Sequence, residues 1–136
     1  MSQRDLFLLG LGLYWGEGVK SNTGIATLVN SDPGIVAMGK EWFMSCLGVS
    51  LQDFRPYIYV SIQYKNSSGK ITSFWSKILN IPKDQFKVII IKNTSKKIYH
   101  NHKEYFGVLQ LRVRKGTDLK YRILGLIEGC KTGRKK

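Results

Sequence analysis

Acidic residues are scarce in this chain beside basic ones. It carries 9 Asp and Glu against 22 Lys and Arg, a formal net charge of +13 over 136 residues. An excess of that size concentrates polyanions around a protein and opposes indiscriminate self-association. Nucleic acid is therefore the leading partner. An anionic membrane surface ranks below it, since no basic amphipathic helix with a broad apolar face stands out. Long apolar runs are missing too: the candidate at residues 6–16 falls short of the roughly 20 residues a membrane helix needs. It also lacks a secretory pattern, because Asp5 follows Arg4 and no small-residue cleavage site comes after it. Cysteine is nearly absent. Cys46 and Cys130 sit far apart, which removes a disulfide framework and points to an intracellular protein of the cytoplasm, nucleoid or an organelle. With His100 and His102 they show no zinc-finger spacing. Linkers, low-complexity blocks and repeats are lacking as well. At 43% hydrophobic content, one domain over residues 1–130 with a basic tail at 131–136 is expected.

What the chain does have is glycine in an unusual setting. Leu8-Leu9-Gly10-Leu11-Gly12-Leu13-Tyr14-Trp15-Gly16-Glu17-Gly18 is an apolar run of helical length, although each Gly inside a helix costs up to about 1 kcal/mol. Gly12 and Gly16 lie one turn apart and share a face, where a second backbone can approach closely, as GxxxG pairs do in membrane dimers. A helix is expected over residues 3–16, with Gly18 as its stop. Glu17 then stands at the negative end of the helix dipole, which disfavours its charge; a bound cation would remove that penalty.

The rest of the chain reads as alternating elements. Val19-Lys20, the turn Ser21-Asn22-Thr23-Gly24 and the strand Ile25–Asn30 suggest a hairpin. Asp32 before Pro33 caps a helix that ends near Gly48 and buries Trp42. A strand is predicted over residues 58–65, with Ile58, Val60, Ile62 and Tyr64 on one face and Tyr59, Ser61, Gln63 and Lys65 on the other. A short helix carrying Trp75 precedes Pro82. Residues 86–91 read as a strand covered on both faces, followed by a basic loop with Lys92, Lys96, Lys97, His100, His102 and Lys103. The contiguous His100-Asn101-His102 spells the letters of a nuclease name, but that name abbreviates scattered residues, and an exposed loop or phosphate contacts explain the triplet better. Residues 107–114 alternate again, Leu109, Leu111 and Val113 inward, Gln110, Arg112 and Arg114 outward. A last helix starts at Gly116-Thr117-Asp118 and reaches about Ile127. The fold class is α+β.

The outward residues of the two alternating strands carry the functional signal. Half-buried strands place polar residues outward in any case. Here Tyr59, Ser61, Gln63, Lys65, Gln110, Arg112 and Arg114 include no acid. Arg and Lys suit guanine edges, Gln suits adenine, and any of them can hold phosphate.

Gly10–Gly18 resembles the LAGLIDADG signature of homing endonucleases and their relatives. Gly12 falls on its first glycine, Gly16 on its alanine, Glu17 on its metal-binding acid and Gly18 on its closing glycine, whereas Trp15 replaces its first aspartate and Gly10 its leading leucine. The resemblance implies an αββαβ order with a concave antiparallel sheet backed by helices and set against double-stranded DNA. It also implies a homodimer joined through the signature helices, with Leu9, Gly12, Leu13 and Gly16 at the seam. Glu17 and its mate would share Mg²⁺ or Mn²⁺ for phosphodiester hydrolysis, and Lys65, Lys92 or Arg112 would supply an auxiliary basic group. Lys96 and Lys97 join the strand residues as DNA contacts. A non-catalytic relative binding DNA or RNA, as a regulator or splicing helper, is the alternative. A third reading is a small basic RNA-binding module whose glycine helix is core packing only.

Overall fold

Ser2 opens the first helix with a reciprocal cap. Its hydroxyl accepts from the Asp5 amide at 3.0 Å and the Asp5 carboxylate accepts from the Ser2 amide at 3.4 Å. The computed structural model describes residues 1–18, 25–92, 105–114 and 116–132, with the side chains of Glu17 and Thr117 outside that description. In chain order its elements are helix α1 (Gln3–Glu17), strand β1 (Ala26–Asn30), helix α2 (Pro33–Leu47), strand β2 (Tyr57–Ser61), helix α3 (Ser68–Leu79), strands β3 (Lys87–Ile91) and β4 (Val108–Val113), and helix α4 (Gly116–Thr132). No described helix is long and apolar enough to cross a membrane.

The strands form one mixed sheet in the order β1-β4-β2-β3. β4 is antiparallel to both β1 and β2, while β2 and β3 run parallel with Tyr57 opposite Lys87 and Ser61 opposite Ile91. The expected all-antiparallel sheet is thus corrected. The cause is α3: a helix placed between two strands carries the chain back to the end from which the first strand started, so the second re-enters in the same direction. β3 is also an edge strand. Val88, Ile89 and Ile90 are half-buried and Lys87 and Ile91 exposed, so it is not covered on both faces.

Alternation decides which face is covered. Ala26 and Leu28 of β1, Leu109, Leu111 and Val113 of β4, and Ile58 and Val60 of β2 are all buried and pack with residues from the four helices in one core. Trp42 and Trp75 are fully buried, and each indole N–H finds a carbonyl, Phe7 at 3.1 Å and Phe106 at 2.7 Å. Tyr14, Trp42, Phe43 and Phe54 form a chain of ring contacts with centroids 5.2–6.1 Å apart. Burial pushes the Tyr14 phenol up, and its oxygen accepts from the Thr27 amide at 3.4 Å. As expected, the Asp32 carboxylate caps α2, accepting from the Gly34 amide at 2.8 Å, and Gly48 ends it at φ 71°.

Two boundaries differ from the sequence-based reading. The strand expected to reach Lys65 stops at Ser61, and Ile62–Ser67 coils into a 3-10 helix. Alternation continues past Ser61, but Tyr64 is drawn out of strand geometry to stack on Tyr105 at 3.8 Å, and Ser68 donates to the Lys65 carbonyl at 2.6 Å. α4 continues to Thr132, which puts Lys131 in the helix instead of the tail; Arg134, Lys135 and Lys136 lie outside the described residues. The hairpin turn at residues 19–24 also lies outside them, although Gly18 and Leu28 form the antiparallel bridge such a hairpin begins with.

Among the described residues, Gly10, Gly18, Gly39 and Gly107 leave less than 3.0 Å for an added Cβ. A Cβ on Gly10 would lie 2.1 Å from Trp42 Cγ, and one on Gly107, at φ 73°, would lie 2.5 Å from the Tyr59 carbonyl oxygen. Gly107→Ala is therefore expected to destabilise by roughly 2–4 kcal/mol, combining left-handed backbone strain with overpacking. Gly10→Ala should be comparably costly despite the better helix propensity, because its methyl would meet Cγ, Cδ1 and Cδ2 of the buried Trp42 ring at 2.1–2.6 Å and the hydrogen-bonded indole has nowhere to turn. Urea denaturation of both variants checks this, and a neutral effect of either would contradict it.

Candidate nucleic-acid interface

Register places the residues opposite the helices in rows. β4 contributes Val108, Gln110 and Arg112, β2 contributes Tyr57 and Tyr59, β3 contributes Lys87, Ile89 and Ile91, and β1 contributes Val29. All of these are half-buried or exposed, and none is acidic. Thr27 and Ser61 share the face by register but are buried, at 5% and 6% exposure. The Ser61 amide donates to the Tyr105 hydroxyl at 2.9 Å, and Ser61 is withdrawn as a contact residue.

Side chains on this face are tied to one another. The Arg112 guanidinium lies over the Tyr57 ring, Cζ 3.8 Å from its centroid. Its Nε donates to Gln110 Oε1 at 3.0 Å and its Nη2 to the Tyr59 hydroxyl at 3.3 Å. Tyr57 stands beside Gln110 in the register, which is why a side chain two residues farther along β4 can fold back across it. Lys87 Nζ approaches the same ring at 5.7 Å. Where β2 begins, the Arg55 amide donates to the Arg112 carbonyl at 2.8 Å, and Arg55 Nη1 donates to the Gln52 and Phe54 carbonyls at 2.6 and 2.7 Å. Ile25, Arg55, Tyr57, Arg112, Val113 and Arg114 line an open pocket of about 250 Å³ there.

Of the expected contact residues, Tyr59, Gln110 and Arg112 are brought together, with exposed Arg114 just beyond the strand. Gln63 and Lys65 are exposed but sit in the 3-10 segment, off the strand face. Lys96 and Lys97, like His100 and His102, lie outside the described residues. Tyr57, Lys87 and Arg55 were not expected. Stepping the Tyr59 alternation back by two would have found Tyr57, and Lys87 was hidden by reading its strand as covered on both faces.

The three candidate auxiliary bases do not converge. Exposed Lys92 follows Ile91, which pairs with Ser61, so Lys65 and Lys92 belong to the C-terminal end of β2 while Arg112 lies beyond its N-terminal end. From the level of Arg55, opposite Arg112, to Ser61 is six steps, roughly 20 Å at about 3.3 Å per strand residue. Gly18 bridges Leu28, which pairs with Leu111. The tip of α1 therefore sits about 10 Å, two strand spacings, from the backbone beside Arg112. The guanidinium itself leans the other way, over Tyr57.

On α1, Gly12 and Gly16 are exposed, and a Cβ on either would meet nothing within 4 Å. Leu8, Leu9 and Trp15 are 50%, 48% and 42% exposed beside them. Leu13, expected at the same seam, instead packs against the core. Neither glycine is in close packing within the described residues; that role on α1 belongs to Gly10. Lys131 Nζ lies 5.6 Å from the Trp15 ring centroid. Glu17 closes the helix, and its side chain is outside the described residues. Among the described residues, no group of three or more His, Cys, Asp and Glu gathers for a metal ion. Comparison with known proteins gives no match, whether with family models, curated proteins or solved structures.

Proposed function

We propose that this protein binds nucleic acid through the open face of its sheet, and that the partner is double-stranded DNA engaged by a homodimer. One observation carries the reading: a sheet face of Arg112, Lys87, Gln110, Tyr57 and Tyr59, with no acid in its register rows, in a chain of net charge +13. Guanidinium, ammonium and amide groups are the donors that phosphates and base edges accept. The dimer part is supported by the outward stripe Leu8, Leu9, Gly12, Trp15 and Gly16. Exposed glycine in mid-helix is unfavourable in a monomer, and close packing against a second α1 would repay it.

The finer reading is a LAGLIDADG-like endonuclease. A single Glu17 per chain fits a hard divalent cation only as one oxygen ligand among several, the others being its mate, water and substrate phosphate. Such a cation supplies Lewis-acid and water-activating chemistry. The chain's own task is to hold Glu17 at the end of α1 and to fix the duplex on the sheet. Trp15, exposed where the signature has an aspartate, favours the second reading, a non-catalytic DNA- or RNA-binding relative.

Three outcomes are expected. Binding to duplex DNA should weaken linearly on a log–log plot against salt, and Lys87→Ala should flatten the slope by about one phosphate contact; a flat response of the wild type would remove nucleic acid from the account. By sedimentation, the wild type should be dimeric and Gly12→Leu monomeric. Gly12→Ala should weaken the dimer while stabilising the dissociated chain by up to about 1 kcal/mol, because the added methyl meets open space and improves helix propensity. A monomeric wild type would end the dimer proposal. Incubated with a randomised plasmid-borne duplex library in Mg²⁺ or Mn²⁺, the wild type should leave discrete double-strand ends that Glu17→Gln does not. Binding without cleavage by either protein would select the non-catalytic reading.

A further inference from the structure

We infer that the pocket at the start of β2 receives one unpaired nucleotide of the bound strand, its base against the Tyr57–Arg112 wall and its phosphate on the neighbouring arginines. This rests on the reading of the sheet face as a nucleic-acid surface and specifies what that face selects.

The pocket's size limits the occupant. At about 250 Å³ it lies below the roughly 300–1,000 Å³ of sites that enclose a whole drug-sized ligand, so it suits one planar ring system whose remainder stays outside. Its lining limits the chemistry. Ile25 and the Tyr57 ring present apolar surface, and Arg55, Arg112 and Arg114 supply three cations with no acid among the described lining residues. Free phosphate or an acidic side chain would satisfy the cations and leave the apolar walls uncovered. A nucleobase carrying its phosphate covers both.

Arg112 makes the wall rigid. Its plane is held by the Tyr57 ring below, the Gln110 carbonyl at Nε and the Tyr59 hydroxyl at Nη2. Of its five N–H donors, three are left to face a ligand. Unstacked bases are received on aromatic rings and on arginine planes of this kind. A base still paired and stacked within a helix cannot leave it to enter a pocket without being extruded. The pocket therefore favours a partner that offers a base already unpaired, such as a bulge.

The test is fluorescence anisotropy with two DNA duplexes of the same sequence, one fully paired and one bearing a single 2-aminopurine bulge. Wild type is expected to bind the bulged duplex about tenfold more tightly, with a change in 2-aminopurine emission. Tyr57→Leu keeps every charge; whatever it does to overall affinity, its own bulged-to-paired affinity ratio should fall to about one. Arg114→Ala, altered at an exposed position, gives a second check: it should weaken the bulged duplex more than the paired one. Equal binding of the two duplexes by wild type, or a preference intact in both variants, would overturn the inference and leave the nucleic-acid reading standing. Absence of salt-sensitive binding to either duplex would remove that reading and the inference together.

Discussion

The contact between Gly10 and the Trp42 indole sets the orientation of everything at the start of the chain. A residue with a Cβ at position 10 would collide with the ring, so α1 can approach α2 this closely only with Gly10 turned inward. At about 100° of rotation per residue, that choice puts Gly12 roughly 200° and Gly16 roughly 240° away from the contact. Both face solvent for that reason, and Leu8 and Leu9 are carried out with them. Tyr14, four residues on from Gly10, is carried in, where its oxygen meets the Thr27 amide and ties α1 to β1. One missing side chain thus decides which half of an almost wholly apolar helix forms the core and which half remains for another surface.

A second constraint operates at the other end of the sheet. Gly107 brings the returning chain against the Tyr59 carbonyl with a left-handed backbone, and the Phe106 carbonyl anchors the Trp75 indole. Phe106 also stacks on Phe74 at 3.6 Å and Tyr105 on Tyr64 at 3.8 Å. These contacts fix where β4 enters between β1 and β2. Entry one residue earlier or later would exchange the faces of Leu109, Gln110, Leu111 and Arg112, burying arginine and exposing leucine. The polar platform therefore depends on aromatic packing at the margin of the sheet as much as on the arginine that crowns it.

How much of this could be read in advance varied with the range of the interaction. Caps and local periodicity were legible: the Asp32-Pro33 start of α2, the Gly48 stop, and the inward series Leu109, Leu111 and Val113 all stand as expected. The outward series in β4 was legible for the same reason, so half of the candidate interface could be listed without coordinates. Long-range partners were not. Nothing local in Ile62-Gln63-Tyr64-Lys65 announces that Tyr105, some forty positions on, will pull Tyr64 into a stack and end the strand. Likewise the alternation in β2 and β4 states that Tyr57 and Arg112 face the same way, but not that register sets Tyr57 beside Gln110 and within reach of the guanidinium. The glycine helix was half legible: its spacing identified a face for close approach, while the partner of each glycine depended on a rotation that only Trp42 could settle.

The Arg112 cluster changes what the sheet can recognise. A free arginine on a strand can present a two-pronged edge to guanine and adapt to the groove it meets. Arg112 has its Nε and one Nη2 donor committed within the protein and its face against Tyr57. A cation–π contact of this kind contributes on the order of 0.5–1 kcal/mol at exposed sites and more when water is excluded. Turning the guanidinium towards a base edge would give up that contact and both hydrogen bonds, so the committed arginine is a poor direct reader and a good fixed surface. Gln110 Oε1 already accepts from Arg112, which fixes the amide plane and leaves one lone pair of that oxygen and the Nε2 donors for a base. On the proposed nucleic-acid reading, specificity would be carried less by hydrogen-bond readout along β4 than by the shape between Tyr57, Arg112 and Arg55, with Lys87 and Arg114 supplying attraction that is blind to sequence.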